Sequence, residues 1–257
     1  MFIQSTKNNN GERTKMANEP KVSIIIRARN NWHLTKACMD SIERNTDPEL
    51  YRLIVVNDGS VDETREELKK MLNIEYHSQH IFIHHEKPKG AVSATNSGID
   101  VVLRIPTPYI LVLDNDTEIL EGNTSWLSDM IKYFEEDETV GIVGACTDMV
   151  IGMQKVDKLH INDAPKFLIS FAWMMSLKCV KKCGPLDIRY DPGNFEDIDY
   201  SITATQKGFT LKVAKDVFIN HYLHRTFKDM DLDNLLIINE RKGLEKWGEK
   251  IYYNMRR

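Results

Sequence analysis

The sequence predicts an α/β protein with a Rossmann-like, mostly parallel central sheet and helices on both faces. Short apolar runs rich in β-branched residues alternate with helical patterns through the first half of the chain. One of these runs, Tyr109–Leu113, leads directly into Asp114-Asn115-Asp116. Ligands of open α/β sheets bind at the carboxyl ends of the strands, and divalent cations prefer carboxylate oxygens. Together these observations predict a metal and diphosphate site at one edge of the sheet.

Four strands are predicted in the first half of the chain from runs of β-branched and other apolar residues. They cover residues 22–26, 53–56, 81–83 and 109–113. Between them, apolar residues at helical spacing predict helices over residues 32–42, 60–71 and 90–103. Ser60 and Glu63 have the spacing of a capping box that would open the second helix. Because strands and helices alternate, the sheet is predicted to be parallel.

The pattern is less regular beyond Asp116. The predicted strands cover residues 140–145, 168–176 and 210–214, and a further strand-like run covers residues 217–219. The predicted helices cover residues 125–136, 195–207 and 231–250. Residues 147–165 show little periodicity, so we expect them to form a loop that contacts substrate.

The composition is that of a globular protein and excludes several classes of function. The 257 residues are 42% hydrophobic and 28% charged, and the net charge of −4 would not attract nucleic acid. No stretch approaches the roughly 18 apolar residues of a membrane span, and the polar residues 1–19 do not form a secretory signal. The four cysteines lack a Cys-x-x-Cys pair, which is typical of a reduced, cytoplasmic protein. Cys179 and Cys183 could share a helix face, and we interpret them as small packing residues.

Asp114 and Asp116 are the strongest candidates for metal ligands. A polar turn after a strand would also use aspartate, but two carboxylates with no nearby compensating base repel each other. Binding of Mn²⁺ or Mg²⁺ would remove that repulsion. His221 and His224 follow the strand-like run 217–219 and offer an imidazole nitrogen as a further ligand, although a lone histidine is more often structural.

Three further segments are candidates for ligand contacts. Asp58 follows the second predicted strand, where its carboxylate either closes an Asx turn or accepts a hydrogen bond from a nucleotide base. Gly90 opens a helix of small residues, which would either attract an anion to its free N–H groups or pack closely on the sheet. Lys89 would support a phosphate there. Glu196 and Asp197 lie at a predicted helix start, where acids are ordinary but where a carboxylate could also act as a general base.

Short motifs follow one another along residues 21–248. The first half contains Val22–Ile26 with Asn30, Asn57–Ser60, residues 86–98 with Gly90, Ala94, Asn96 and Gly98, and Asp114-Asn115-Asp116. The second half contains Gly184–Asp187, Glu196-Asp197, His221 with Thr226, and Lys246–Gly248. In this order they resemble the opening strand, D-D-G-S turn, E-N-x-G segment, D-x-D, G-x-F-D, E-D, H-x-x-G-x-S and K-W-G motifs of the family-two glycosyltransferases.

This resemblance implies the glycosyltransferase A fold and an inverting, metal-dependent transfer of a sugar from a nucleotide diphosphate sugar to an acceptor hydroxyl. It implies that Asp114, Asp116 and His221 hold Mn²⁺ or Mg²⁺, and that Asp197 removes the acceptor proton with help from Glu196. The residues implied to contact the nucleotide sugar are Ala28, Arg29, Asn30, Asp58, Lys89, Gly90, Asn96, Asp114, Asn115 and Asp116. A UDP-sugar is the default donor, and the acceptor is a glycan, a lipid-linked sugar or a protein.

The resemblance also divides the chain. We expect a flexible leader, a catalytic domain with a nucleotide-binding half and an acceptor half, and a C-terminal helical segment, over residues 1–20, 21–225 (21–120 and 121–225) and 226–257. Basic and apolar residues are interspersed in the last segment. It therefore either packs on the domain with a solvated face or lies on a membrane that carries a lipid-linked acceptor. We expect a cytoplasmic location without a transmembrane segment, and peripheral contact with a membrane is the alternative.

The sequence departs from the family pattern and leaves two rival functions open. The family's Pro-Thr-Tyr after the first strand is Arg27-Ala28-Arg29 here, Pro88 replaces an asparagine, and His224 replaces a glycine. A haloacid-dehalogenase-type phosphatase also places Asp-x-Asp after a strand, but normally after the first core strand and with Thr or Val where this chain has Glu118. The other rival is a protein that binds nucleotide sugars without catalysis, against which the intact acidic residues argue.

Overall fold

The computed structural model describes residues 19–72, 80–160, 162–222 and 232–256. Within these residues, eight strands form a sheet in the order β3-β2-β1-β4-β7-β6-β8-β5. The strands are β1 (Val22–Ala28), β2 (Tyr51–Asp58), β3 (Ile81–His85), β4 (Tyr109–Asp114), β5 (Thr117–Ile119), β6 (Val140–Cys146), β7 (Ala172–Ser176) and β8 (Thr210–His221). The helices are α1 (Trp32–Asn45), α2 (Thr64–Leu72), α3 (Ala91–Arg104), α4 (Trp126–Glu136), α5 (Leu177–Cys183), α6 (Glu196–Gln206) and α7 (Leu232–Arg256).

The first half of the chain forms the regular, parallel part of the sheet. β1 lies between β2 and β4 and runs parallel to both, and β3 is parallel to β2 on its outer side. In this register Arg27 lies opposite Asp114, and Ala28 lies opposite Asn57. The carboxyl ends of these strands therefore meet at one edge, as the alternation of strands and helices predicted.

The second half of the sheet is mixed. β7 runs antiparallel between β4 and β6, and β8 is parallel to β6. β8 continues past a register shift and pairs antiparallel with β5, which places His221 opposite Thr117. The two predicted runs 210–214 and 217–219 are therefore parts of one strand. β5, a three-residue strand that begins directly after Asp116, was not predicted from the sequence.

Side chains that alternate along the central strands divide the core into two layers. Ile24 and Ile26 of β1 belong to the layer that includes α1 and α4, whereas Ile25 belongs to the layer that includes α3. Gly98 of α3 lies against this second layer, and a Cβ at Gly98 would be 2.6 Å from Cγ2 of Ile25. The small residue therefore lets α3 approach the sheet closely. The prediction of helices on both faces of a mostly parallel sheet is confirmed.

The predicted capping box at the start of α2 is wrong. The helix begins at Thr64, whose N–H donates to Asp62 Oδ1 over 3.1 Å. Ser60 instead accepts the N–H of Asn30 on its Oγ over 2.8 Å. The hydroxyl that would have capped the helix therefore joins the turn after β2 to the loop after β1.

The predicted strand over residues 168–176 begins only at Ala172. Side chains bind the backbone groups of the residues before it: Gln154 bonds both the N–H and the carbonyl of Ile169, and Ser201 Oγ accepts the N–H of Leu168 over 3.2 Å. Since these groups are not available to a neighbouring strand, the segment leaves the sheet. Its residues 169–171 line the cleft described below.

α5 was not predicted from the sequence as an element, although its two cysteines, Cys179 and Cys183, were expected to be able to share a helix face. Ser176 caps this helix by accepting the N–H of Cys179 over 3.1 Å. The Sγ atoms of Cys179 and Cys183 lie 3.7 Å apart on one face, and both cysteines are free thiols.

α7 extends the predicted C-terminal helix and bends at Gly248, where φ is 73°. Leu244 and Trp247 pack against the core layer that contains α3, so this part of the helix rests on the domain. No helix in the described part of the chain is long and apolar enough to cross a membrane.

Some expectations concern residues that the structure does not describe. Most of the expected leader, His224 and Thr226 lie outside the described ranges. The division into a leader, two halves and a C-terminal segment stays a prediction.

Candidate active site

A cleft with a volume of about 820 Å³ lies at the carboxyl edge of the sheet and is lined by residues from both halves of the chain. Ten of the predicted site residues line it: Ala28, Arg29, Asp58, Gly90, Asp114, Asn115, Asp116, Glu196, Asp197 and His221. Three other predicted residues, Asn30, Lys89 and Asn96, are not part of its lining. The predicted metal ligands and the predicted acid pair therefore share one cleft.

Asp114, Asp116 and His221 each bring one ligand atom to within 4.8 Å of the others. Asp114 ends β4 and His221 ends β8, so the pairing of β8 with β5 places the imidazole beside the carboxylates. His221 Nε2 lies 3.3 Å from Asp116 Oδ1 and 3.6 Å from Asp114 Oδ2. The imidazole ring stacks on Phe171 with 5.1 Å between the ring centroids, which orients it.

The expectation that these acids lack a compensating base is wrong. Arg27 of β1 donates through Nη2 to Asp114 Oδ1, because the two residues lie opposite each other in the sheet. Burial alone would lower the pKa of His221, but the carboxylates of Asp116 and Asp114 outweigh it and raise that pKa above its ordinary value. Arg27 and His221 therefore partly balance the repulsion between the two acids without a cation. This repulsion supports a bound metal less strongly than the sequence alone suggested.

The donor atoms themselves suit a divalent cation. Two carboxylate oxygens and one imidazole nitrogen form a ligand set compatible with Mn²⁺, and carboxylates also suit Mg²⁺. His221 Nδ1 is buried and has no hydrogen-bond partner among the described residues, so Nε2 is the nitrogen directed at the acids. Because a ligating imidazole must be neutral, a cation there would displace the proton that the acids stabilise. The residues present therefore fit the predicted metal.

Glu196 and Asp197 form the first turn of α6, and the two residues are only 6% and 8% exposed. Asn194 and Phe195 precede them with positive φ values of 65° and 87°, so the chain turns sharply into the helix. Ser170 contacts both acids. Its N–H donates to Asp197 Oδ2 over 3.4 Å, and its Oγ donates to Glu196 Oε1 over 3.3 Å.

The environment of this pair favours the protonated carboxyl group. Burial raises the pKa of Glu196, and the neighbouring Asp197 raises it further. Burial also raises the pKa of Asp197, although the N–H groups of Ile198 and Ser170 oppose that shift. A carboxylate with a raised pKa accepts a proton more readily near neutral pH than an exposed carboxylate does. Asp197, whose N–H partners limit the rise of its pKa, is therefore the member of the pair that suits a general base.

Asp58 accepts three hydrogen bonds at the edge of the cleft. The N–H groups of Lys89 and Gly90 donate to it over 2.8 Å each, and His85 Nδ1 lies 2.7 Å from its Oδ1. The local contact to the backbone is made by Asn57 instead, whose Oδ1 accepts the N–H of Ser60, three residues on, over 3.0 Å. Asp58 therefore holds the loop before α3 against β2 and still lines the cleft.

An anion site was one of two interpretations of the start of α3, the other being close packing on the sheet, and the anion found there belongs to the chain itself. Asp191 Oδ1 accepts the N–H groups of Val92 and Ser93 over 3.1 and 3.2 Å, and Oδ2 accepts the Ser93 hydroxyl. Gly90 approaches this carboxylate so closely that a Cβ at Gly90 would be 2.2 Å from Oδ1. The interpretation of this helix start as a free phosphate site is therefore corrected, because its N–H groups already have an anionic partner.

Asn30, Lys89 and Asn96 serve local structure rather than lining the cleft. Asn30 Oδ1 accepts the N–H of Val61 over 2.9 Å, and Lys89 contributes its backbone N–H to Asp58. The amide of Asn96 bonds both the carbonyl and the N–H of Leu186, over 2.8 and 2.9 Å. It thus attaches α3 to the predicted turn 184–187.

Sequence reasoning missed several residues that build the cleft. Arg27 was noted only as a departure from the family pattern, while Ser170 and Asp191 carried no signal because their partners are far away in sequence. The cleft is also lined by apolar side chains, among them Met149, Val150, Ile151, Ile169 and Leu236. The first three belong to the region predicted as a substrate loop.

An open α/β sheet with an acid-lined cleft at its carboxyl edge defines a class of proteins that bind ligands at the ends of their strands. Within that class, a family model described as glycosyl transferase family 2 matches residues 23–178, more than half of the chain. The chain belongs to this family.

Solved structures support the fold assignment. A mannosyltransferase, PcManGT from Pyrobaculum calidifontis, solved in complex with GDP-Man and Mn²⁺, matches with a TM-score of 0.67 and 17% identity, over 88% of this chain and 65% of that one. GalNAc-T7, solved with UDP, GalNAc and Mn²⁺, matches with a TM-score of 0.70 and 13% identity, over 91% of this chain and 49% of that one. At these identities the similarity concerns the fold, and the predicted glycosyltransferase A fold is confirmed.

A curated relative gives a sequence match of limited extent. A PGL/p-HBAD biosynthesis glycosyltransferase from Mycobacterium bovis is 30% identical over 126 residues, which cover 48% of this chain and 45% of the relative. The chain spans less than half the length of the curated relatives described as a PGL/p-HBAD glycosyltransferase and a teichoic acid polymerase.

Proposed function

We propose that this protein transfers a sugar from a nucleotide diphosphate sugar to an acceptor hydroxyl, with inversion and with a divalent cation. The observation that carries the proposal is the convergence of Asp114, Asp116 and His221 in the cleft that also contains Glu196 and Asp197. The family supports transfer chemistry, and two proteins of similar fold were solved with nucleotides or nucleotide sugars and Mn²⁺. Family membership argues against the phosphatase alternative.

Asp114, Asp116 and His221 would hold Mn²⁺ or Mg²⁺. When bound, the cation would neutralise charge on the leaving diphosphate as a Lewis acid. The residues at the ends of β1, β2 and β4 would bind the nucleotide. Arg29 supports this role because it is a cation in the cleft lining.

Asp197 would remove the proton from the acceptor hydroxyl while the hydroxyl oxygen bonds to the anomeric carbon and the bond to the diphosphate oxygen breaks. One displacement on the face opposite the leaving group inverts the anomeric centre. The raised pKa of Asp197 supports this role, and Glu196, which shares Ser170 with it, would orient the acceptor or assist.

The apolar side chains of the cleft bear on the acceptor. Residues 149–151, 169 and 236 contribute five of them, and a glycan alone would leave these side chains without a complementary partner. We therefore favour an acceptor that carries an apolar group next to its hydroxyl, such as a lipid-linked sugar. Transfer to a sugar with an alkyl or aryl group should exceed transfer to the free sugar, and equal rates would contradict this preference.

A thermal-shift screen tests donor and metal together. UDP, GDP and dTDP are each added with and without Mn²⁺ or Mg²⁺, and the sugar form of the best nucleotide is then tested for hydrolysis and transfer. A ligand at 100 times its dissociation constant stabilises a protein by about 2.7 kcal/mol, which raises the melting temperature measurably. In Asp116→Ala the cation-dependent part of the shift should disappear, because one of the three converging ligands is lost.

Asp157→Ala is the matched control, since Asp157 is an exposed acid whose nearby partner is Lys155. It should behave as the wild-type protein does. If no nucleoside diphosphate stabilises the wild-type protein, or if cations add nothing, the proposal fails. Tight binding without turnover of any donor would instead favour the binding protein without catalysis.

A further inference from the structure

Arg27 contacts both acidic groups of the cleft. Its Nη2 donates to Asp114 Oδ1, and its Nη1 lies 3.8 Å from Glu196 Oε1. The side chain is only 9% exposed, so the guanidinium lies largely out of contact with solvent. Arg27 replaces the proline with which the resembling family motif begins, so this contact is a property of this chain rather than of that motif.

The position of the guanidinium follows from two elements. β1 and β4 pair in register, which brings Arg27 beside Asp114. The segment before β7 then supplies Ser170, whose carbonyl oxygen and Oγ lie 3.3 and 3.5 Å from Nη2. Ser170 also donates to Glu196 and Asp197. Arg27 and Ser170 therefore form one network that joins the two acidic groups.

The guanidinium divides the oxygens of Asp114 between two partners. Oδ1 accepts Arg27, whereas Oδ2 is directed at His221 Nε2, 3.6 Å away. One carboxylate oxygen is thus left for a cation. The fixed positive charge of Arg27 also repels a cation at this site. Over such short distances, this repulsion affects cation affinity more than the order that Arg27 gives to the Asp114 side chain.

We propose that Arg27 is a positioning residue that ties the metal carboxylate of Asp114 to Glu196, and that it does so at the expense of cation affinity. This inference rests on the proposed function. The planar guanidinium of Arg27, with one Nη atom near each acidic group, holds the two groups in one arrangement. The hydroxyl to be deprotonated and the diphosphate to be released are thereby aligned.

A simple structural ion pair would have different consequences. Lysine would replace arginine in such a pair with little effect, because only the charge would matter. Lysine carries a compact charge and cannot form the planar fork that reaches two carboxylates. Charge and fork can therefore be separated by comparing Arg27→Lys with Arg27→Met.

The first experiment measures Mn²⁺ binding by calorimetry without nucleotide, and kcat and KM with the best donor. In Arg27→Met we expect Mn²⁺ to bind about tenfold more tightly, because a nearby cation is removed. We expect kcat to fall by about ten- to a hundredfold, because the acids lose their alignment. Arg27→Lys should keep the wild-type Mn²⁺ affinity and an intermediate kcat. Arg52→Met is the matched control, since Arg52 lies near the opposite end of β2 and donates to the carbonyl of Ile105.

A second readout needs neither metal nor sugar. Removal of the guanidinium takes away a charge that favours ionisation of Glu196 and Asp197, so the infrared titration of the buried carboxyl groups should move to higher pH in Arg27→Met. Asp197 and Asp114 are the other charged groups that act on Glu196, and both are unchanged in this variant. The Glu196→Gln protein identifies the Glu196 band.

The outcomes separate the two proposals. Weaker Mn²⁺ binding in Arg27→Met, an unchanged kcat, or full activity in Arg27→Lys would overturn the role of Arg27. If the wild-type protein binds no cation and transfers no sugar, the proposed function fails. The infrared titration then still decides whether Arg27 governs the acid pair, and an unshifted band would reject that part of the inference.

Discussion

The two halves of the cleft are built in different ways. In the half predicted to bind the nucleotide, Asp58 and Asp114 are the last residues of parallel strands, so the sheet itself presents their carboxylates. In the half predicted to bind the acceptor, Glu196 and Asp197 follow an irregular segment with left-handed backbone at Asn194 and Phe195. The first arrangement depends on local strand sequence, and the second depends on contacts made from elsewhere in the chain.

Those contacts come from α7. Asn239 Nδ2 donates to the carbonyls of Gly193 and Asn194 over 2.8 Å each and lies 3.2 Å from that of Tyr190. Lys246 lies 2.9 Å from both Asp187 and Asp199, and the Trp247 indole N–H donates to Asp199 over 2.7 Å. A helix about 45 residues further along thus holds the segment that leads into the acid pair. We expect the acceptor half to be the part that distant substitutions disturb.

The largest effect is expected at the acid pair itself. Asp197→Asn keeps the size of the side chain but removes the base, so transfer should fall by about 10²- to 10⁴-fold. Binding of nucleoside diphosphate and Mn²⁺, measured by calorimetry, should change little because we propose that those ligands contact the other half.

Asp157→Asn serves as the exposed control for this substitution. Glu196→Gln distinguishes the two acids, since it should reduce transfer less than Asp197→Asn. Normal transfer by Asp197→Asn would show that another group removes the proton, and the two halves would then not divide donor and acceptor chemistry as proposed.

The next largest effect tests whether α7 holds the segment that leads into the acid pair. Asn239 is fully buried, and its replacement by alanine leaves buried carbonyl oxygens without their donor. We expect unfolding free energy to fall by about 3 kcal/mol, since each buried unsatisfied group costs about 1–3 kcal/mol. We also expect kcat to fall while donor binding is preserved. Chemical denaturation and steady-state kinetics measure the two effects.

Asn239→Asp is the informative companion variant, because it keeps the shape but replaces the donating amide with a carboxylate. It should be at least as destabilising as alanine. If either variant lost donor binding as strongly as transfer, α7 would support the whole cleft rather than the acceptor half.

The same contrast explains how much the sequence predicted. Asp114 and Asp116 could be placed because the end of an apolar run and the edge of a parallel sheet coincide. The four strands of the first half were predicted within a few residues. β1, β2 and β4 belong to the buried core, and the partly buried side chains of β3 pack against it. Local periodicity contains this information because each strand buries its own side chains against helices next to it.

What the sequence did not predict depends on long-range partners. Arg27 lies 87 residues from Asp114 in sequence, and Asp191 lies 98 residues from Ser93, so neither partner could be read from local spacing. The strand predicted from residue 168 was shortened by the side chains of Gln154 and Ser201. Such contacts are determined by tertiary packing, which overrides local propensity.

Substitutions at two glycines offer a matched comparison, and their expected effects are smaller. A Cβ at Gly98 of α3 would be 2.6 Å from the Ile25 side chain, and a Cβ at Gly243 of α7 would be 2.3 Å from the Phe195 ring. Overpacking typically costs about 1–3 kcal/mol, so Gly98→Ala and Gly243→Ala should lower the unfolding free energy by similar amounts. Only Gly243→Ala should also lower kcat, because it displaces the residue before Glu196.

The outcome is decided by donor affinity and kcat measured on both variants, with unfolding free energy as the common scale. A loss of kcat in Gly98→Ala as large as that in Gly243→Ala would contradict the distinction between the halves. Equal losses of unfolding free energy with a loss of kcat only in Gly243→Ala would support the distinction between the halves. The two substitutions differ mainly in which half of the cleft they displace.

The smallest effect concerns pH and stability. Burial raises the pKa of Glu196 in the folded protein above the value of about 4.3 in an unfolded chain. Between these two values the folded state binds more protons than the unfolded state, so unfolding free energy falls as pH rises. The stability that protonated Glu196 provides is therefore complete below about pH 4 and is lost as pH rises through the folded-state pKa. Glu196→Gln should reduce this dependence by about 1 kcal/mol between pH 5 and 8, and the raised pKa of Asp197 should leave a remainder of the same sign. Denaturation of metal-free protein at several pH values, with the exposed Glu138→Gln as control, measures this pH dependence of the unfolding free energy.

A stability difference between wild type and Glu196→Gln that does not change with pH would mean that Glu196 is ionised in the folded protein, and that Arg27 compensates its burial completely.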